Sequence, residues 1–382
     1  MVLDIYEHTA STQLATLCIS PTFGEKILGH SLSVAILEHH NGRRRLMTDL
    51  YSTCIQQKKQ KNLRQRYLKR IVITGAGGQI GSELVTSLRE RYGTEAVMAT
   101  DIRPLPDAVS NDGPTAILDA QDYNAVAQTA LAHKADTIFH LAAILSAVGE
   151  ENPSKAYDIN MGTLRSVLEV ARQEKYSVFT PSSIAVFGPT SPKEKTPQNT
   201  VMRPTTMYGI TKVAGELLCD YYHRKYGVDT RGVRYPGLIS YGAPPGGGTT
   251  DWAVDIFFQA VQKNRYTCFL DKNTTLPMMY MPDAIEASIQ LMEADPNRLV
   301  HRNAFNVTAM HLNPQTLANE IKQHLPNFTI EYKVDQHREA IAQSWPRTID
   351  DSTAKQEWDW SPKYNLKSMT AEMITELSHS LN

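Results

Sequence analysis

The chain lacks a dominant sign of charge. Its 382 residues carry 39 Lys and Arg against 40 Asp and Glu, a formal net charge of −1. Without a basic surplus, no bulk electrostatic case exists for nucleic acid as a partner. There is no run of eighteen apolar residues either, so no membrane-spanning helix is expected. Cysteine is scarce: Cys18, Cys54, Cys219 and Cys268 lie far apart, with no C-x-x-C pair and no Cys/His ligand spacing. That pattern excludes a structural zinc and points to a reducing compartment. The glycines of "PPGGGTTD" (244–251) lack the lysine that follows the last glycine of a Walker-type phosphate loop; the next is Lys263.

What is present begins with length, which suffices for two modest domains and a sizeable core. Residues 1–69 stand apart. Positions 41–70 hold ten Lys or Arg and one acid, Asp49. The plainer reading is a solvated, partly disordered extension. The sharper one is organelle targeting, because transit peptides are basic and poor in acids. Asp4, Glu7, Glu25 and Glu38 precede the basic block, a conflict that a translation start at Met47 removes. The expected location is then mitochondrial, with the cytoplasm as the alternative. A native chain beginning at Met1 or Val2 would exclude the presequence.

From Arg70 the rhythm changes. "RIVITG", "AVMAT" ending at Asp101, "TAILD" (115–119), "DTIFHLAA" (136–143), "YSVFTPSS" (176–183) and "TRGVRYPG" (230–237) read as six strands. Helical stretches lie between most of them, notably 153–174 and 206–226. This alternation implies βαβ units around a buried parallel sheet, the doubly wound Rossmann class of α/β fold. After Gly237 the regularity fails. "YTCFL", "AFNVTA" and "TIEYKV" read as strands among helices at about 279–293, 313–325 and 368–381, a smaller α/β substrate region. The expected domains are 1–69, 70–237 and 238–382, with no internal repeat.

"GAGGQIG" (75–81) follows the first strand and opens a helix. Gly75, Gly78 and Gly81 let the backbone turn sharply and approach a pyrophosphate, which sits on free N–H groups at the helix start. Gln79 and Ile80 lie inside the same turn. Asp101 ends the second strand, where a carboxylate accepts hydrogen bonds from the adenosine ribose and repels a 2′-phosphate. NAD is therefore expected over NADP, although Arg103 is close. Asp119 is placed at the adenine edge, Leu141, Ala142 and Ala143 beside the riboses, and Asn160 and Tyr235 complete the cofactor set. For Asn160 the plainer reading is a helix-interior or capping residue, and for 141–143 a buried strand. The glycine spacing resembles that of extended short-chain dehydrogenases.

"YGITK" places Tyr208 and Lys212 on one face of a helix. Alcohol oxidation removes a hydroxyl proton as hydride leaves carbon, and a free Tyr, with a pKa of about 10, is a poor base at neutral pH. A nearby ammonium and the nicotinamide charge favour the phenolate. Lowering that pKa by roughly three units corresponds to about 4 kcal/mol of differential stabilisation. Lys212 would also hold the nicotinamide ribose. Ser183, in "SSIAVFG", is the expected third member, hydrogen-bonding the reacting oxygen, with Ser182 as the fallback. The plainer reading of either is a strand-end serine that satisfies backbone groups.

"AAILSAVGE", "SSIAVFGP", "MYGITKVAGE", "RYPGLIS", "PGGGTTDW", "LPMMYMPDAIEA" and "SWPRTIDDSTAKQEWDW" together resemble the short-chain type of L-threonine 3-dehydrogenase over about residues 70–375. The resemblance implies NAD-dependent oxidation of the β-hydroxyl of L-threonine to 2-amino-3-oxobutyrate, which decarboxylates to aminoacetone or passes to a glycine-forming CoA ligase. It also implies that Ser146, Ser183, Tyr208, Thr250 and Asp251 contact the amino acid. Asp251 would accept from the ammonium; Ser146, Thr250 and backbone N–H groups would donate to the carboxylate. The plainer reading of Thr249–Asp251 is a helix N-cap before "WAVDIFFQAV". Trp252 departs from the family, which usually has Tyr there. Extended relatives imply a homodimer through helices 153–174 and 206–226.

Two other readings compete. A nucleotide-sugar epimerase or dehydratase would share the NAD and Tyr/Lys machinery. Such enzymes usually grip the diphosphate with an arginine that this chain lacks, since none occurs between Arg265 and Arg298. A non-catalytic NAD-sensing scaffold often loses the catalytic Tyr or Lys, and both are present. A zinc-dependent enzyme has no ligand cluster here. Gly246–Gly248 then read as the hinge of a substrate-closing loop carrying Thr250 and Asp251.

Overall fold

The structure, a computed structural model, describes residues 68–242 and 248–381. The extension expected over 1–69, its presequence and its start at Met47 therefore lie outside the described residues, apart from Leu68 and Lys69. Those two already belong to the fold: Leu68 is fully buried in the core, and Lys69 N–H donates to Asp136 Oδ2 at 3.0 Å. Gly246 and Gly247 of the expected hinge also lie outside the described residues.

Short β-branched runs build the main sheet. β1 (Ile71–Thr74), β2 (Val97–Asp101), β3 (Thr115–Ile117) and β4 (Thr137–His140) are followed by β5 (Ser177–Phe179), which continues past Thr180 and Pro181 as β6 (Ser182–Ser183). β7 (Asp229–Arg231) continues past Gly232 as β8 (Val233–Tyr235). Six strands pair in parallel in the order β3-β2-β1-β4-β5-β7, the Rossmann arrangement read from the sequence. β1 and β4 are buried at every position, as the centre of a parallel sheet requires.

Side-chain alternation along the strands makes three layers. Val72, Ile138 and Val178 point to one face, against α3 (Tyr123–Ala132), α5 (Pro153–Glu174) and α6 (Met207–Tyr226). Ile71, Ile73, Phe139 and Phe179 point to the other, against α1 (Gln79–Tyr92). The short α2 (Asp107–Ser110) and α4 (Ser146–Glu151) lie in the connections. Caps set the ends of the two long helices. Asn152 accepts from Lys155 N–H and precedes Pro153 at the first turn of α5; Thr206 accepts from Gly209 N–H, and Gly227 at φ +73° ends α6.

The remainder comprises β9 (Gly237–Ile239), α7 (Trp252–Lys263), β10 (Arg265–Cys268), β11 (Leu276–Tyr280), α8 (Met281–Glu293), β12 (Phe305–Asn306) and β13 (Met310–Leu312). α9 (Pro314–His324), β14 (Thr329–Tyr332), α10 (Gln336–Ser344), α11 (Ser352–Trp358) and α12 (Leu366–Ser380) close the chain. β11, the "LPMMY" segment, was not among the expected strands. It carries a proline and no β-branched residue, yet it is buried throughout between β9 and β13. The expected cut at 237 is also crossed by packing. Ala284, Ile285 and Ala287 of α8 and Trp358 of α11 share the core of α1 and β1, and the described residues form one compact unit.

The sheet order reverses between β1 and β4. A crevice opens there beyond the carboxyl ends of the strands, where ligands of such sheets bind. Gly75 follows β1, and Leu141 follows β4.

Candidate active site

The crevice is shaped for a close backbone approach. Gly75 sits at φ +76°, and a Cβ there would stand 2.6 Å from Ala142 N. A Cβ at Gly81 would stand 2.2 Å from Gly75 O. Neither position admits a side chain without moving backbone. Gly78 is the N-cap of α1 and offers no capping side chain, and no acid occupies the first turn. The free N–H groups there suit an anion. Asp101 is nearly buried; its Oδ2 accepts from Gly77 N–H at 3.0 Å, so the glycine turn itself aims the carboxylate. Arg103 N–H donates to Asp101 Oδ1 at 3.2 Å, while its guanidinium, 79% exposed, stands 3.9 Å from that oxygen. These features fit a dinucleotide with an unphosphorylated 2′-hydroxyl. Asp119 is exposed just after β3, and Leu141–Ala143 are half-buried just after β4.

Two expected cofactor residues have their side-chain polar atoms engaged within the protein. Asn160 is an interior residue of α5. Its Oδ1 accepts from Ile144 N–H at 2.7 Å, and its Nδ2 donates to Ile144 O and Thr211 Oγ1. Both amide donors are thus used to brace the loop after β4 against α6. Tyr235 turns its ring into the core, where its hydroxyl meets Ala284 O and Ser288 Oγ. Its side chain serves the packing of α8 rather than the crevice.

Tyr208 and Lys212 lie one turn apart near the start of α6. Lys212 Nζ stands 5.5 Å from the centre of the Tyr208 ring and donates to Pro181 O at 2.8 Å. Burial pushes Tyr208 up to about 12, with the Ser183 hydroxyl pulling it down. Burial brings Lys212 down to about 8, against the pull of Cys219 and Glu216. The expected depression of Tyr208 by the ammonium is therefore not produced by these two side chains alone, because the cation stands over the ring. Ser183 is half-buried, and its hydroxyl accepts from Ala185 N–H at 3.2 Å. Ser182, the fallback, is buried and donates to Glu216 Oε1 at 2.5 Å. The two serines thus have opposite tasks, and only Ser183 is tied to Tyr208.

Ser146 opens α4. Thr250 packs its methyl toward Gly237, the first residue of β9. Asp251 occupies the N-cap position of α7 without capping it; its Oδ2 accepts from Gly248 N–H at 2.8 Å instead. The cap reading of Asp251 thus gives way to a carboxylate folded back on the glycine run. Trp252 is fully buried in the core of α7, β11 and α12.

Sequence reasoning missed three buried groups, His140 and Glu216 beside Lys212 and Arg234 paired with Glu216. His140, at the end of β4, pairs Nδ1 with Thr74 Oγ1 at 2.8 Å and is held down at about 3 by burial and the lysine charge. Glu216 and Arg234 form a buried ion pair at 2.8 Å. The spacing of Glu216, four residues past Lys212, could have drawn attention to it. Arg234 had no local signal. Among the described residues no helix is long and apolar enough to cross a membrane, and no cluster of His, Cys, Asp or Glu could hold a metal.

Comparison with known proteins agrees with this geometry. The model of the NAD dependent epimerase/dehydratase family matches residues 71–308. An uncharacterized epimerase/dehydratase of Staphylococcus haemolyticus is 54% identical over 308 residues, 80% of this chain and 97% of its own. The crystal structure of L-threonine dehydrogenase from Clostridium difficile is 51% identical, with a TM-score of 0.81, covering 82% of this chain and 99% of that one. A monomeric L-threonine 3-dehydrogenase of metagenomic origin is 45% identical, with a TM-score of 0.78, over 82% and 100% of the two chains.

Proposed function

The chain belongs to the NAD dependent epimerase/dehydratase family, and from that premise we propose that it oxidises the β-hydroxyl of L-threonine to 2-amino-3-oxobutyrate. Its cofactor is NAD. The observation that carries the substrate is likeness to an L-threonine dehydrogenase at 51% identity over nearly that enzyme's whole length. The stretch between Arg265 and Arg298, which lacks the arginine expected of a diphosphate site, supports the same reading.

In this reading NAD⁺, held by the Gly75–Gly81 turn and Asp101, supplies the hydride acceptor. Tyr208 takes the hydroxyl proton. Its pKa of about 12 must fall for that, and the positive charge brought by the oxidised cofactor adds to the Lys212 ammonium. Ser183 donates to the substrate oxygen and holds it at the phenol. Asp251 accepts from the substrate ammonium while Ser146 and Thr250 donate to its carboxylate. Fixing both ends of a small zwitterion aims its Cβ, and such positioning supplies much of a rate enhancement.

The assay is NADH absorbance on adding L-threonine, its stereoisomers, and UDP- or GDP-sugars. L-Threonine alone should drive reduction. Turnover of a nucleotide-sugar without net NADH would establish the epimerase reading instead, which the name of the Staphylococcus relative favours.

A homodimer belongs to the same proposal. Ile210, Leu217 and Tyr221 are exposed at 42%, 57% and 49% along one stripe of α6, beside Tyr157 of α5 at 45%. A second copy would cover that stripe. The monomeric relative sets the alternative, and a monomer mass by light scattering would establish it.

A further inference from the structure

Three contacts fasten the segment Pro181–Phe187 to its surroundings, and Ser183 lies within it. Lys212 Nζ holds Pro181 O at 2.8 Å. Glu216, one turn further along α6, takes the Ser182 hydroxyl on Oε1 at 2.5 Å. Arg234 stands 5.3 Å from the centre of the Phe187 ring. Glu216 and Arg234 are both nearly buried and grip each other twice, Nε on Oε1 at 2.9 Å and Nη2 on Oε2 at 2.8 Å. Arg234 Nη1 is spent on Gln198 O and Asn306 Oδ1, and Asn303 Nδ2 holds the Glu216 carbonyl. Every strong donor and acceptor of the pair is used, so it has one arrangement.

We propose that the buried Glu216–Arg234 pair is a positioning device for the reaction: it clamps the Pro181–Phe187 segment to α6 so that Ser183 meets Tyr208 at reacting distance. This rests on the reading of Tyr208, Lys212 and Ser183 as the reacting set. A displacement of about 1 Å at such a site can cost on the order of a hundredfold in rate. Glu216 has a second effect through charge. Lys212 faces His140 from β4, and Tyr208, Glu216 and Cys219 from its own helix; of these Glu216 is the anion that keeps the ammonium charged. Arg234, released from its partner, would add a repelling cation.

A buried ion pair that merely stabilises the fold would behave differently. Breaking one partner destabilises strongly, but replacing both by apolar or neutral groups is often neutral for stability. The test therefore compares Ser182→Ala, Glu216→Gln, Glu216→Asp and the double variant Glu216→Gln with Arg234→Met, by melting temperature, kcat, KM and pH profile. Ser182→Ala should lower kcat about tenfold and the double variant on the order of a hundredfold, the loss expected of a misplaced group. The double variant should melt close to the parent, and Glu216→Asp should recover part of kcat. In Glu216→Gln, where the anion is gone and the Arg234 cation stays, the alkaline limb of kcat/KM set by Lys212 should move to lower pH. If Glu216→Gln alone fails to fold, Ser182→Ala and the double variant decide. A folded double variant and Ser182→Ala with parental kcat would overturn the proposal, provided Tyr208→Phe is inactive. An active Tyr208→Phe would instead overturn the underlying reading.

Discussion

The cofactor crevice and the proposed substrate side are built from different materials. Between Gly75 and Asp101 the chain makes its surface from backbone: a turn at φ +76°, uncapped N–H groups at α1, and one carboxylate aimed by Gly77 N–H. At Ser146, Thr250 and Asp251, the proposed substrate contacts, it uses side chains from two connections, with Asp251 held by Gly248 N–H. A backbone site needs residues that are close in sequence and small. A side-chain site can be assembled from any positions that packing brings within reach. The first is stiff because changing it moves the main chain; the second is tunable because a side chain can change alone.

Tyr208→Phe should have the largest effect, because it removes the proposed base where the two sides join. A loss of about a hundredfold or more in kcat is expected, with NAD still bound, as loss of a general base implies. Turnover close to the parent would remove Tyr208 from its role. Next comes Gly81→Ala on the backbone side. A Cβ 2.2 Å from Gly75 O must displace the turn, so NAD affinity by calorimetry should fall roughly thirtyfold, about 2 kcal/mol. An unchanged affinity would mean the turn is softer than its geometry, and the contrast between the two sides would weaken.

How much was legible follows the same division. The glycine turn, Asp101, the helices at 153–174 and 206–226, and all six strands of the sheet could be read because their signals are local: spacing, β-branched runs and caps. Asn160 and Tyr235 were placed at the cofactor, but their polar atoms are engaged within the protein. Nothing local distinguishes an amide that braces Ile144 from one that meets a ribose. β11 was missed because Met278 and Met279 owe their burial to β9 and β13, not to strand propensity. Glu216 and Arg234 are eighteen residues apart and meet only in the folded chain.

His140 tests the join from the stability side. It ends a cofactor strand yet faces Lys212, and it is buried in the neutral form. Its folded pKa of about 3 lies below the ordinary value of 6.5, so the unfolded chain binds the extra proton first as pH falls. Its contribution is whole above about 6.5 and is lost as pH drops toward 3. At pH 5 the loss is about 2 kcal/mol. The melting temperature of His140→Gln should therefore fall less than the parent's between pH 7 and 5. Parallel curves would show that His140 is already hydrated enough to take a proton in the fold.

Asp251→Asn gives the smallest effect and the cleanest separation of the two sides. Its carboxylate holds Gly248 N–H at 2.8 Å, so an alanine would remove a turn contact and a charge together. Asparagine keeps an oxygen for Gly248 and removes only the charge. If the charge receives the ammonium of the substrate, KM for L-threonine should rise about tenfold, the 1.4 kcal/mol of a modest charge-assisted hydrogen bond. KM for NAD should stay put, because the cofactor side is carried by backbone that this substitution does not touch. An unchanged KM for L-threonine in the variant would confine Asp251 to the turn. A parallel rise in both would mean that the substrate side transmits its changes to the crevice, and the two sides would then have to be treated as one site.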